Sequence, residues 1–251
     1  MQAAIEQMAG LFAQAWRKHE QFSVATGPGP QTAEEAYAVQ DLVYKERFPG
    51  GRTSAWKAGA GSPGAEPAAA PIGELHTSPA VIEGARFHMF GIEAEIAFRL
   101  GRDLTAREKA WDREELVAAV DEALVTLEVC DTRLDAWKTA SPLWKLADFQ
   151  LNGALVAGTG RRDWRHVDFA AQPVELWVNG ERKVARKGTH PAGDPLGALA
   201  WTAAHCARRT GGLRKGDIIT TGSWTGMFFA VPGDSVLARF PGIGEAELRI
   251  G

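Results

Sequence analysis

Two glutamates, Glu93 and Glu95, stand two residues apart in the run "GIEAEIAFRLGRDL", where Ile92, Ala94, Ile96 and Phe98 otherwise read as strand. Side chains at i and i+2 of an extended chain share a face, so both carboxylates aim one way, roughly 7 Å apart along the strand. The alternate residues are apolar and claim the other face, which leaves the acid face to solvent or to a ligand. Two carboxylates in one buried site raise each other's pKa unless a cation neutralises them. A hard divalent ion with oxygen ligands, such as Mg²⁺ or Mn²⁺, removes that penalty. The segment "LEVCDTRL" supplies a third acid, Glu128, between Leu127 and Val129. Asp131 lies an odd number of residues further on and faces the opposite side of an unbroken strand, whereas Cys130 shares the face of Glu128.

An acid or base is the next requirement. Lys57 in "SAWKAG" sits at a strand end beside Trp56, and partly apolar surroundings lower a lysine pKa while a nearby anion raises it. In "DIITTGSWTGMFF", Thr221, Ser223 and Thr225 are hydroxyls on a glycine-flanked strand end, where the backbone can approach a ligand and the hydroxyls can hold a carboxylate. The six histidines are scattered without metal-pair spacing, and neither Cys130 nor Cys206 has the glycine-rich or helix-opening setting of a nucleophile. "GAGSPG", Gly59 to Gly64, fits the G-x-G-x-x-G pattern, but Pro67 and Pro71 follow at once where a dinucleotide site needs a helix. A connector or lid is the better reading of that loop.

The elements that must position these groups can be sketched from the pattern. Residues 4–19 place Ile5, Met8, Leu11, Phe12, Ala15 and Trp16 at helical spacing. Thr32 with Glu35 forms a capping box that opens a second helix to about Phe48. Two further helices are expected at 113–124 and 194–209. Strands are expected at 79–90, 91–100, 125–134, 152–158, 174–180, 182–187, 217–222, 226–231, 235–240 and 245–250, with a short one in "TSAWKAG" and a Gly/Ala/Pro loop after it. Many short strands, glycine turns and few helices predict an α+β protein with a mixed β-roll or curled sheet and helices outside it. A helical N-terminal region, 1–52, would precede a catalytic β-roll domain, 53–251.

With 251 residues, 45% hydrophobic and 24% charged, the chain can build a large core. A net charge of −3 without a basic stripe gives no expectation of nucleic acid or a membrane surface as partner. Two cysteines in apolar stretches, no signal-peptide pattern and no long uncharged segment predict a cytoplasmic protein.

Together, "SAWKAG", "GIEAEIAFRLGRDL", "LEVCDTRL", "LADFQLNGALVAG" and "LRKGDIITTGSWTGMFFAVPGDSVLARFPGIGEAELRI" resemble the fumarylacetoacetate hydrolase superfamily, in its 2-keto-4-pentenoate hydratase and 4-oxalocrotonate decarboxylase branch. The order and spacing of these segments extend the resemblance over most of the chain. It implies Mg²⁺ or Mn²⁺ held by Glu93, Glu95 and Glu128, and Lys57 as the acid/base. It also implies a small 2-oxo acid substrate from aromatic-compound catabolism, approached by Ser223, Thr221, Asp148 and Asn152. The fold implied is that of the fumarylacetoacetate hydrolase C-terminal domain in a homo-oligomer, with a pathway decarboxylase or hydratase as the implied partner of a complex.

The chain departs from the branch in two places. Relatives commonly carry an acidic or long polar residue where "GELHTSPAV" has His76, Thr77 and Ser78, so His76 is either a local base or a surface-loop residue. "ADFQLN" keeps Asp148 but replaces small polar positions with Phe149, Gln150, Leu151 and Asn152. The activity expected is hydration of a 2-hydroxy-2,4-dienoate. The alternatives are a 4-oxalocrotonate-type decarboxylase, an acylpyruvate C–C hydrolase, or a non-catalytic subunit that binds a small acid.

Overall fold

A computed structural model describes residues 1–107 and 111–251. Helices α1 (Gln2–Lys18) and α2 (Ala33–Arg47) come first, the second capped by the Thr32 side chain as its sequence predicts. Strands β1 (Ala55–Gly59), β2 (Ala68–Pro71), β3 (Leu75–Thr77), β4 (Ala80–Ile82) and β5 (Gly91–Leu100) follow. Then come α3 (Arg113–Ala119), β6 (Val120–Cys130), α4 (Pro142–Ala147), β7 (Asn152–Arg161), β8 (Pro173–Val178), β9 (Glu181–Lys187) and α5 (Pro195–Arg209). The chain closes with β10 (Ile218–Thr220), β11 (Phe228–Phe229), β12 (Ser235–Phe240) and β13 (Gly244–Ile250).

The strands form two sheets, so the mixed, curled α+β architecture expected from the sequence is the one found. One runs β2-β1-β10-β5-β6-β7-β3, with β11 added beside β5, and the other runs β4-β13-β12-β8-β9. Ile92, Ala94, Ile96 and Phe98 of β5, with Ala123, Val125, Leu127 and Val129 of β6, enter one apolar core with Val236, Ala238, Ala246 and Leu248 of the second sheet. Burial of those alternate positions sets the register, because a one-residue slip would put the acids into the core instead. The opposite face of β5 and β6 is thereby assigned to Glu93, Glu95 and Glu128.

Helices α1 and α2 build a second core of Met8, Phe12, Val39 and Val43 that includes Leu134, Trp144, Ala147 and Phe149 from further along the chain. The helical segment 1–52 is therefore packed onto residues of the 53–251 segment through a shared core. Among the described residues no helix is long and apolar enough to cross a membrane.

Three local expectations need correcting. The helix predicted over 113–124 stops at Ala119, because Val120 to Leu124 find ladder partners in β5 and extend β6 instead. Of the strand expected at 79–90, only Ala80–Ile82 pairs, against β13. The Gly/Ala/Pro loop contains β2, an antiparallel partner of β1. It tolerates Pro71 because it lies at the sheet edge, where a missing N–H costs no ladder bond. Helix α4, opened by the Ser141 cap and Pro142, carried too short an apolar pattern to be read from sequence.

Candidate active site

Glu93 and Glu128 are direct cross-strand partners on β5 and β6, and Glu95 lies opposite Thr126. Lys57 is on β1, three strands from Glu128, a separation of about 14 Å in a flat sheet. Yet Lys57 Nζ donates to Glu128 Oε1 at 2.8 Å and stands 3.9 Å from Glu93 Oε2. The curl of the sheet and the length of the two side chains close that gap across a concave face. Glu95 and Glu128 are fully buried, while the side chains of Glu93 and Lys57 each keep 14% of their surface. Access to the cluster is therefore from the Glu93 and Lys57 side.

The neighbours fix each group. Glu95 Oε2 accepts from the Thr220 hydroxyl and from the Gly222 N–H at 2.8 Å. Gly222 has φ +117°, a conformation that L side chains avoid, so glycine is required where the backbone turns to present that N–H. Asn152 Nδ2 donates to Glu128 Oε1 at 2.9 Å. Lys57 also donates to the Gln150 carbonyl at 3.2 Å. That carbonyl sits in a turn where Phe149, Gln150 and Leu151 all take positive φ, 54°, 54° and 63°. Three consecutive left-handed residues store strain of about 1–3 kcal/mol each, which the buried Phe149 and Leu151 side chains help to hold.

Electrostatics follow from three acids facing one ammonium. Burial alone would lower the Lys57 pKa, but Glu128, the neighbouring Cys130 and Glu93 outweigh it and hold the amine well above its ordinary value, as ammonium. Burial raises Glu93, opposed by Lys57. Burial and then the charges of Glu128 and Glu93 push Glu95 up to about 8. Glu95 Oε1 and Glu128 Oε2 are buried without a hydrogen-bond partner. Unpaired carboxylate oxygens in a site with excess negative charge are costly unless a cation meets them. The donor set fits a divalent ion with oxygen ligands. One ligand atom each of Glu93, Glu128 and Cys130 already lies within 4.8 Å of the others; Glu95 is outside that group, held by Thr220 and Gly222 and near enough to feel the charges of Glu128 and Glu93.

The remaining sequence candidates separate. Ser223 Oγ is buried and makes no hydrogen bond among the described residues. Thr221 does: its hydroxyl donates to the Ile96 carbonyl at 2.7 Å and ties β10 to β5. Asp148 is enclosed by Arg133 Nε at 2.5 Å, the Arg133 N–H at 3.0 Å and the Thr132 hydroxyl at 2.8 Å. It anchors the turn that carries Gln150 and has no oxygen left for a substrate. Asn152 acts through Glu128. Thr225 Oγ1 accepts from the Ala94 N–H at 3.1 Å, a structural bond. His76 does not join the cluster. It lies on the edge strand β3 opposite Val156, whose side chain belongs to the apolar core, and its Nε2 is 3.9 Å from Glu74. Asp131 faces away as its spacing predicts, accepting from the His88 and Met89 N–H groups.

Sequence reasoning missed Thr220, Gly222 and the Gln150 carbonyl as partners of the charged groups. Thr220 was signalled only as one more hydroxyl in "ITTGS", and a backbone carbonyl carries no residue-type signal. Of the residues that depart from the branch, Phe149 packs into the N-terminal helical core, whereas Gln150 meets Lys57 through its carbonyl. A separate cavity of about 550 Å³, lined by Tyr44, Phe48, Arg52 and Trp56, holds none of these acids, and its Arg52 is paired with Asp217.

A family model described as fumarylacetoacetate (FAA) hydrolase C-terminal matches residues 65–251. A 2-keto-4-pentenoate hydratase of Paraburkholderia phymatum is 33% identical over 156 residues, which are 62% of this chain and 58% of that protein. The 2-keto-4-pentenoate hydratase 3 of Pseudomonas putida is 30% identical over 176 residues, 70% of this chain and 63% of that protein. The chain thus spans less than two thirds of the length of these relatives. Among solved structures, 4-oxalocrotonate decarboxylase from Pseudomonas putida G7, complexed with magnesium and adipate, superposes with a TM-score of 0.83 at 22% identity, covering 100% of this chain and 98% of that one. At that identity the likeness establishes the fold.

Proposed function

The chain belongs to the fumarylacetoacetate hydrolase C-terminal family, and on that premise we propose that it is a divalent-cation-dependent hydro-lyase that adds water to a 2-hydroxy-2,4-dienoate. The observation that carries the reading is the buried cluster in which Glu93, Glu95 and Glu128 face a single ammonium, leaving Glu95 Oε1 and Glu128 Oε2 without partners. The relatives named hydratases support the choice of reaction.

Glu93, Glu95 and Glu128 would hold Mg²⁺ or Mn²⁺, which when bound supplies Lewis-acid stabilisation of negative charge developing on a 2-oxo acid. Lys57, kept as ammonium by the carboxylates around it, delivers a proton to the diene carbon as the dienol becomes the conjugated keto acid. The proton of the enolic hydroxyl makes good that loss, and water then adds across the alkene, so the net change is one water gained. Gln150 and Glu128 fix Nζ in place by their two bonds. Ser223 Oγ holds the substrate carboxylate from the β10 end, and Thr220 and Gly222 keep Glu95 turned towards the site. We carry with this reading a cytoplasmic homo-oligomer; the exposed Phe229 and Val231 supply apolar surface for a subunit contact.

The test is Mg²⁺-dependent loss of dienol absorbance by the purified chain, followed together with CO₂ release. Loss of absorbance without CO₂ supports the hydratase. Stoichiometric CO₂ would replace it with a decarboxylase, and ligand binding without turnover would replace it with a non-catalytic binder.

A further inference from the structure

Cys130 stands out because nothing in the proposed reaction uses it. It follows Glu128 by two residues on β6, so its side chain is on the acid face, and it is fully buried. Protonated, its thiol donates to Glu93 Oε2, with Sγ 3.6 Å from that oxygen. An oxygen and a sulfur that share one cation, at bond lengths of about 2.1 and 2.3 Å and angles between octahedral and tetrahedral, lie roughly 3.1–3.6 Å apart. The observed spacing is at the upper end of that range. Glu128, the third member of the cluster, is fully buried and keeps Oε2 unpartnered, a second donor in want of a cation. The backbone leaves room for the thiol: Gly91 is the cross-strand partner of Cys130, and a Cβ there would meet Cys130 Cβ at 3.1 Å and the Met227 sulfur at 2.6 Å. Cys206, by contrast, is buried in α5 within the apolar core, and among the described residues it belongs to no group of acids that could hold a metal.

We propose that Cys130 Sγ is a fourth protein donor to the cation held by Glu93, Glu95 and Glu128, and that it turns the site from Mg²⁺ towards borderline first-row ions such as Co²⁺ and Zn²⁺. This rests on the cation-site reading above. Carboxylates alone suit Mg²⁺ and Mn²⁺, whereas a sulfur donor adds affinity for softer ions and almost none for Mg²⁺. The thiol proton leaves to solvent as the metal–sulfur bond forms, and no oxidation is involved.

The experiment titrates the full chain, freed of metal by chelator, with Co²⁺ and with Mg²⁺, following heat and near-ultraviolet absorbance with no substrate present. A sulfur-to-cobalt charge-transfer band is expected in the wild type and in Cys206→Ser, and is absent in Cys130→Ser. Cys130→Ser should also lose about tenfold or more in Co²⁺ affinity while Mg²⁺ affinity moves little. Co²⁺ that binds the wild type with no such band overturns the inference and leaves the oxygen-ligated site standing. Equal loss of Co²⁺ and Mg²⁺ affinity in Cys130→Ser, without a band in the wild type, overturns it likewise. Failure of both ions to bind the wild type overturns both this inference and the function it rests on. If Cys130→Ser does not fold, the band in the wild type and in Cys206→Ser decides.

Discussion

Replacing Lys57 with methionine removes the one positive charge that, among the described residues, pairs with a site burying three acids. Nζ lies 2.8 Å from Glu128 Oε1 and 3.9 Å from Glu93 Oε2. At an effective dielectric constant of about 20 the two attractions sum to roughly 10 kcal/mol gross, most of it offset by the cost of desolvating the ions. Breaking a buried pair by deleting one partner typically costs about 3–5 kcal/mol net, because the other charge is stranded. In a chain of this size, at about 2–4 °C per kcal/mol, the chelator-treated variant should melt some 6–20 °C below the wild type. Saturating Mn²⁺ should return most of that difference, because a divalent ion neutralises the same carboxylates. Cation affinity should hold or rise, since an ammonium that repels the ion is gone. Turnover of dienol should nevertheless fall by about 10²-fold or more, the usual worth of a positioned proton donor. Thermal melts with and without Mn²⁺, calorimetric titration and the absorbance assay read these three outcomes. A variant that melts with the wild type in chelator would refute the charge argument, and one that loses cation binding would make Lys57 a structural residue rather than a proton donor.

Glu95→Gln keeps the shape of the site but removes a ligand charge, so turnover should disappear and cation affinity fall about tenfold or more while the melting point in chelator holds or rises; unchanged affinity by titration would remove Glu95 from the ligand set. Ser223→Ala should raise KM several-fold with cation affinity unchanged, and an unchanged KM would mean that its hydroxyl does not meet substrate. His205 sits between Trp201, stacked at 4.6 Å, and Tyr37 at 4.5 Å, and burial first, then Arg209 and Arg208, lowers its pKa to about 4. A depressed histidine stabilises the fold fully above the unfolded value near 6.5, and that contribution is lost as pH falls towards 4, up to about 3 kcal/mol. Denaturant melts of His205→Phe should therefore lose less stability than the wild type between pH 6.5 and 4; parallel profiles would contradict it.

Much of the acid site was legible because strand geometry is strictly periodic. The apolar residues Ile92, Ala94, Ile96 and Phe98 had to face a core, so Glu93 and Glu95 had to face away from it together, and the same parity separated Glu128 from Asp131. Hydroxyls and amides carry no such constraint. Thr221 was named as a substrate contact from its glycine-flanked strand end, and Asp148 and Asn152 from the resemblance. The structure gives them instead to the Ile96 carbonyl, to Arg133 and to Glu128. His76 was offered as a base because it stands where relatives carry an acidic or long polar residue, and strand pairing puts it on the edge strand β3.

By itself, the sequence determined which residues share a face and that this face holds acids in excess, since those facts follow from backbone period and burial alone. It could not determine distance between strands that are remote in the chain. Lys57 and Glu128 are 71 residues apart and meet only because the sheet is curled across β10 and β5, a shape set by how both sheets pack on one core. The left-handed turn that aims the Gln150 carbonyl at Nζ is likewise held by packing of Phe149 and Leu151 and not by their local preference.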